Sequence, residues 1–333
     1  MYPTKVSGSL ALQLFQRITW WDSDLDLYTN AEGSSHIRRY LCEKEGYVST
    51  EDRGLADDYA STDELIEVHS LVKERREGDD TKIQIITTKS DPLLCILAGF
   101  YSTVVVHFFS WQKAYSIFPQ TTFIDRRCYM LKEIDQFHAP RLAKYSRRGW
   151  QLQDVAWAGE PRVPALEGTR RVGDQHSWII PLNTKGIERT GKPDYVSAFA
   201  NFHVEKYGNN RWGGRGPKYY KITAMGFRAL VLRHRYIFAS ESWKDFLGTR
   251  MDSLTTMELL KLDPAERPSW FADAIRFPVA HYSAPYVDDP WLTPRSWTFY
   301  DEEVPKWYRQ WQALEAVRPN DRLEVPFITS SYH

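Results

Sequence analysis

Val6-Ser7-Gly8-Ser9-Leu10-Ala11-Leu12-Gln13-Leu14-Phe15-Gln16-Arg17-Ile18-Thr19-Trp20-Trp21-Asp22-Ser23-Asp24-Leu25-Asp26-Leu27-Tyr28 is the stretch whose reading decides the fold. Gly8 and Ser9 open a short apolar helical run, Leu10 to Phe15. About fifteen residues after them comes Ser23-Asp24-Leu25-Asp26-Leu27. On a strand, residues i and i+2 share a face, so Asp24 and Asp26 point one way while Leu25 and Leu27 enter a core. Two oxygen-rich side chains on one rigid edge suit a hard divalent cation of the kind that holds nucleotide phosphates. Gly8 lets backbone approach a phosphate closely, and Ser9 can donate to it near a helix N-terminus. The plain alternative is a capped turn with a solvated acidic face.

The order strand, Gly-Ser, short helix, Asp-x-Asp resembles the pattern of the nucleotidyltransferase fold shared by polymerase β, kanamycin nucleotidyltransferase and the abortive-infection nucleotidyltransferase toxins. Here the pieces are Lys5-Val6-Ser7-Gly8-Ser9, Leu10 to Phe15, and Ser23 to Tyr28. The resemblance implies that Asp24 and Asp26 bind a catalytic Mg²⁺ or Mn²⁺ ion and that Gly8 and Ser9 hold a nucleoside triphosphate. It also implies a third carboxylate on a neighbouring strand, in an apolar-acid-apolar setting. The segment that fits is Ile83-Gln84-Ile85, which puts Gln84 where the acid is expected. An amide can accept a metal bond or meet a nucleotide, but it cannot serve as a base. Three explanations compete: a relic without activity, a site that binds nucleotide without chemistry, or another acid such as Asp22 or Glu67 in the third place. Such folds usually carry a helix ahead of Gly-Ser, whereas this sequence starts almost on its first strand.

A second resemblance covers more of the chain, roughly residues 6–150. Lys82-Ile83-Gln84-Ile85-Ile86-Thr87-Thr88, Phe100-Tyr101-Ser102-Thr103-Val104-Val105-Val106-His107-Phe108 and Ala114-Tyr115-Ser116-Ile117-Phe118-Pro119, followed by Lys144-Tyr145 and Arg148-Gly149-Trp150, are similar to a group of filamentous-fungal proteins with a degenerate nucleotidyltransferase-like domain. That resemblance brings no established activity with it.

Composition sets outer bounds. At 333 residues the chain is long enough for one large or two ordinary domains. Its 43 basic and 43 acidic residues exert no global pull on nucleic acid or anionic membrane. Three scattered cysteines, Cys42, Cys95 and Cys128, cannot make a disulfide framework, which fits a reducing compartment and a packing role. No secretory leader is evident, and the most apolar run, Leu93 to Phe109, is interrupted by Tyr101, Ser102, Thr103 and His107. The expectation is an intracellular protein, cytoplasmic or nuclear, without membrane contact.

The punctuation predicts an α/β (α+β) protein in two parts. Residues 1–150 form a nucleotidyltransferase-like domain with a small mixed sheet backed by helices. Residues 151–333 form an α+β region rich in aromatic and basic residues. Ser34 to Lys44 reads as a helix, 65–72 and 82–88 as a hairpin, and Asp91-Pro92 as a helix start continuing to about Ser110. Ala114 to Phe118 reads as extended, Asp125 to Arg147 as helix, and the segment from Tyr219 to Phe238 as mostly strand. Ser240 to Leu247, Ser253 to Leu262 and Val304 to Val317 read as helices.

Two further features bear on function. The acid-free block Lys206, Arg211, Arg215, Lys218, Lys221, Arg228, Arg233 and Arg235, with Trp212, Tyr219 and Tyr220, has the chemistry of phosphate contact and base stacking. Nucleic acid or a nucleotide tail is a reasonable partner; the alternative is a basic face paired with acids such as Asp79-Asp80 or Asp301-Glu302-Glu303. The Arg211-to-Pro217 run reads as a phosphate-gripping loop. Nine histidines show no ligand spacing, and His107 reads as a packed residue in an apolar helix. Lys113 and Tyr115 stand where related folds touch a triphosphate, yet strand packing is the better reading for Tyr115 and Phe118. The functional expectation is metal-dependent transfer of a nucleotidyl group from an NTP. The alternative is an inactive module that binds nucleotide or protein.

Overall fold

The computed structural model describes residues 3–50, 65–74, 80–89, 91–133, 136, 138–153, 155, 161–186, 193–208, 218–268, 294 and 296–317. The opening stretch folds as its pattern predicts: β1 (Lys5–Ser7), α1 (Gly8–Gln16) and β2 (Leu25–Asn30). Asn30 accepts the Gly33 N–H at 2.9 Å and starts α2 (Ala31–Glu43). After β3 (Val48–Ser49), the apolar alternation of β4 (Leu65–Lys73) and β5 (Thr81–Thr88) builds the expected antiparallel hairpin.

α3 (Pro92–Gly99) begins as predicted, with Pro92 in its first turn and the Asp91 carboxylate accepting the Leu93 N–H at 2.9 Å. It ends eleven residues before the expected Ser110. Phe100 leaves in extended backbone, and the rest of the apolar run makes a 3₁₀ turn and β6 (His107–Phe109). A continuous apolar run suits a buried strand as well as a buried helix, and tertiary packing chose both. β7 (Lys113–Ser116) follows. The helix expected over 125–147 is instead β8 (Arg127–Tyr129) and, further along, α4 (Ala139–Arg147).

Eight strands form one mixed sheet in the order β11-β7-β6-β1-β2-β5-β4-β3, where β11 is Trp178–Pro181. Within it β2 and β5 run parallel and the other pairs antiparallel. One face of β2 and β5 carries Leu25, Leu27, Ile83 and Ile85 against Ile37 and Leu41 of α2. The opposite face carries Tyr28 and Ile86 into the main core with Leu93, Leu94 and Leu97 of α3.

The division expected at residue 150 does not separate the cores. β11 lies beyond it yet extends the N-terminal sheet through β7. Phe202, Val204, Tyr220 and Ile222 likewise join the main core with Tyr28 and Phe108. They come from a three-stranded sheet of β10 (Gly168–Arg171), β12 (Asn201–Gly208) and β13 (Lys218–Thr223). Buried Arg170 ties the two parts together, donating to the Ile117 and Ala165 carbonyls at 3.0 and 2.9 Å and to both oxygens of Asp174. β9 (Gln151–Gln153) pairs parallel with β8.

A second apolar cluster gathers Val196 of α5 (Asp194–Ala198), β14 (Met225–Phe227), β15 (Tyr236–Phe238), α6 (Glu241–Leu260) and α7 (Val304–Val317) around Trp243, Trp297 and Tyr308. The two helices expected between 240 and 262 are one, capped by Ser240. Among the described residues no helix is long and apolar enough to cross a membrane.

Candidate functional site

The site grows from one sharp corner. β1 passes directly into α1 at Gly8, whose φ is +70°, in the left-handed region open to glycine. A Cβ on Gly8 would stand 2.0 Å from Oδ2 of Asp26, so the carboxylate fills the space that glycine leaves. Asp26 therefore lies at the first residue of α1, where the helix dipole favours negative charge. Ser9 follows in the first turn, partly exposed. Asp24 is half-buried and directly precedes β2 rather than lying in it.

Sheet register supplies the next group. Asp26 stands opposite Ser7 on β1 and opposite Gln84 on β5, and Gln84 stands opposite Ser70 on β4. Register neighbours share a face, so Asp26 and Gln84 project from the same side. Glu67, the alternative third acid, pairs with Thr87 and ion-pairs with His69 at 3.1 Å. Strand alternation puts it on the face opposite Gln84, which removes it from the site.

Two tyrosines line the Asp26 side. Tyr28, two residues on, is buried, and desolvation followed by the Asp26 charge pushes its hydroxyl well above the usual range. Tyr145 of α4 is also held high by burial, countered by Arg148 and reinforced by Asp26 and Asp22. Both phenols stay protonated and can donate hydrogen bonds. The Arg148 guanidinium stacks on Trp20 with its carbon 3.9 Å from the ring centroid and donates to Asp22 at 2.7 Å. Trp20 is itself fixed by its N–H to the Gln13 side chain and by an edge contact with Trp150.

Other residues singled out by sequence fall into structural roles. Lys113 and Tyr115 both bind Asp194, at 2.7 and 2.6 Å, and Tyr115 and Phe118 are fully buried, as the packing reading expects. His107 is buried against Phe15 and Phe123, on strand β6 rather than on a helix. Cys95 and Cys128 are buried in apolar clusters and Cys42 packs at the edge of another.

The basic block divides between two sheets. Lys206, Lys218 and Lys221 lie on β12 and β13, with Lys206 3.8 Å from Glu167 and Lys221 over the Tyr207 ring. Arg233 and Arg235 precede β15, and Arg233 covers Phe299. Tyr220 is buried in the main core and offers no stacking face. The Arg211-to-Pro217 run, with Trp212 and Arg215, lies outside the described residues, as does Asp79. Asp301 is buried on Arg233 N–H, His234 N–H and Tyr236 O–H, so it pairs with backbone rather than with a basic face.

Among the described residues no cluster of three or more His, Cys, Asp or Glu side chains is placed to hold a metal ion. The structure brings Asp26 to the corner with the Gln84 amide in register, while Asp24 joins them only through its place two residues before Asp26 in the chain. That all-oxygen set fits a hard divalent ion with few protein ligands. No protein-family model, curated protein or solved structure matches the chain.

Proposed function

We propose that the β1–α1 corner binds a nucleoside triphosphate with Mg²⁺ or Mn²⁺, and that nucleotidyl transfer is the chemistry for which its parts are arranged. The observation that carries this reading is the Asp26 carboxylate seated on Gly8 at the start of α1. A glycine that leaves no Cβ, a serine in the first helical turn and an acid at the same point provide both a phosphate cradle and an anionic ligand. Asp24 and Asp26 would hold the ion, which when bound would neutralise phosphate charge. Gly8 and Ser9 would receive the phosphates, and Tyr28 and Tyr145, kept protonated by burial, would bound the acidic side.

A second reading, nucleotide binding without transfer, is favoured by Gln84. Gln84 stands in register with Asp26, and an amide cannot accept the proton of an attacking hydroxyl as the third carboxylate of the resembled fold would.

The test is thermal denaturation with ATP, GTP, CTP or UTP, with and without Mn²⁺. A nucleotide at a hundred times its dissociation constant should add about 2.7 kcal/mol of stability, only with the metal, and the Asp24→Ala/Asp26→Ala protein should lose the effect. Stabilisation that survives the double substitution would remove the acids from the site. Transfer of label from an α-³²P NTP to a polynucleotide or protein acceptor then separates the two readings.

A further inference from the structure

Arg148 and Asp22 form an ion pair of unequal partners. The Arg148 side chain is 12% exposed and the Asp22 side chain 69%. One Asp22 oxygen takes the Arg148 Nη2 at 2.7 Å, and the other faces Lys144 Nζ at 3.8 Å. The Arg148 cation is therefore anchored in the protein over Trp20, while the anion that joins it to the more exposed Lys144 reaches in from solvent. The second terminal nitrogen of Arg148, Nη1, is buried with no hydrogen-bond partner. A guanidinium presents a planar fork suited to two oxygens of a phosphate, and a carboxylate on one arm leaves the other arm unused.

This fork adjoins the acidic corner. The Tyr145 hydroxyl lies within electrostatic reach of Arg148, of Asp22 and of Asp26. The Arg148 guanidinium carbon stands 5.8 Å from the centroid of the same Tyr145 ring. A ligand with its metal-bound phosphate at Asp26 and further phosphates extending past Tyr145 would meet Arg148 and Lys144.

We propose that Arg148 and Lys144 form a subsite for the terminal phosphates of the nucleotide, and that Asp22 occupies this subsite until a phosphate displaces it. The inference rests on the nucleotide reading of the corner. Displacement is physically cheap, because an exposed single carboxylate in an ion pair contributes little. A terminal phosphate brings more negative charge and three oxygens, enough to engage Arg148 Nη2 and Lys144 Nζ together.

The test uses inorganic tripolyphosphate as the probe, titrated without divalent metal into the full chain and followed by calorimetry at low salt. Asp22→Asn should tighten binding about three- to tenfold, since the competing charge is gone while the exposed position tolerates the change. Arg148→Met should weaken it more than about tenfold and Lys144→Gln about threefold. The Asp24→Ala/Asp26→Ala protein should bind the metal-free probe at least as well as wild type. Tripolyphosphate affinity in Asp22→Asn equal to or below that of wild type overturns the proposal even where Arg148→Met is too unstable to assay. So does an Arg148→Met protein that binds like wild type. If this pattern appears while no NTP stabilises the protein with Mn²⁺, the subsite stands and the nucleotidyl reading falls. NTP and Mn²⁺ stabilisation indifferent to Asp22 and Arg148 overturns the subsite and leaves the nucleotidyl reading.

Discussion

Asp301 and Asp26 each stand at the start of a helical segment, and the protein uses them differently. Asp301 opens the turn leading into α7 and is 6% exposed. Its oxygens accept the Arg233 N–H at 2.8 Å, the His234 N–H at 3.2 Å and the Tyr236 hydroxyl at 3.1 Å, stitching the loop before β15 to the second core. Glu258 of the same region is equally enclosed, by Lys261, the Thr298 N–H and the Tyr300 hydroxyl. Asp26 is only half-buried, pressed on a glycine and flanked by an amide and two protonated tyrosines. The lesson is one of solvation. A carboxylate enclosed by backbone donors holds the fold, whereas one partly exposed at a helix N-terminus keeps part of its hydration beside the positive end of the dipole.

Replacing Asp301 with Ala should be the most damaging change, because it leaves the Arg233 and His234 N–H groups without their acceptor and the Tyr236 hydroxyl with only the long contact to the residue 301 carbonyl, at 3.4 Å. We expect a loss of about 3 kcal/mol or more in urea denaturation, with nucleotide stabilisation retained in the remaining folded protein. A loss below about 1 kcal/mol would mean that water satisfies these donors and would break the comparison.

Gly8→Ala should cost less in stability and more in function. The left-handed backbone and the collision with Asp26 should lower stability by about 2 kcal/mol and abolish metal-dependent nucleotide stabilisation. A Gly8→Ala protein with wild-type melting and binding would show that the glycine is incidental.

His107 of β6, on the sheet face opposite Asp26, gives a separate pH-dependent check. Burial lowers its pKa from 6.5 to about 3, outweighing the Val104 backbone, which acts in the opposite sense. The unfolded chain takes up this proton below about pH 6.5 while the folded chain does not until about pH 3. Its contribution is therefore complete above pH 6.5 and declines toward pH 3, by up to about 1.4 kcal/mol per pH unit. His107→Phe, which keeps the contacts with Phe15 and Phe123, should flatten that decline. An unchanged slope between pH 6 and 4 would assign the acid sensitivity elsewhere.

The smallest effect on the fold belongs to Gln84→Asp. Stability should change by less than about 1 kcal/mol at this partly exposed strand position, while Mn²⁺ affinity measured by calorimetry should rise, since hard cations favour added carboxylate charge. Equal affinities would separate Gln84 from the metal site and leave Asp24 and Asp26 to act without it.

Local pattern was enough for the corner itself. Gly8 between a short strand and an apolar helical run, leucines alternating with aspartates, the β4–β5 hairpin and the Asp91-Pro92 helix start all obey short-range geometry, which a linear sequence carries in full. The long-range relations were of another kind. Leu93 to Phe109 is mostly apolar, and packing against the sheet decided that α3 stops at Gly99 and that β6 follows. That β11 completes the sheet begun by β1, that Tyr220 is core rather than surface, and that Arg148 reaches Asp22 across 126 positions are contacts between distant segments. Sequence spacing sets which face of a strand a side chain takes, because the backbone alternates with period two. Which strand lies beside it, and hence that Gln84 faces Asp26 and Glu67 does not, depends on how the whole apolar surface is buried, and tertiary structure alone decides that.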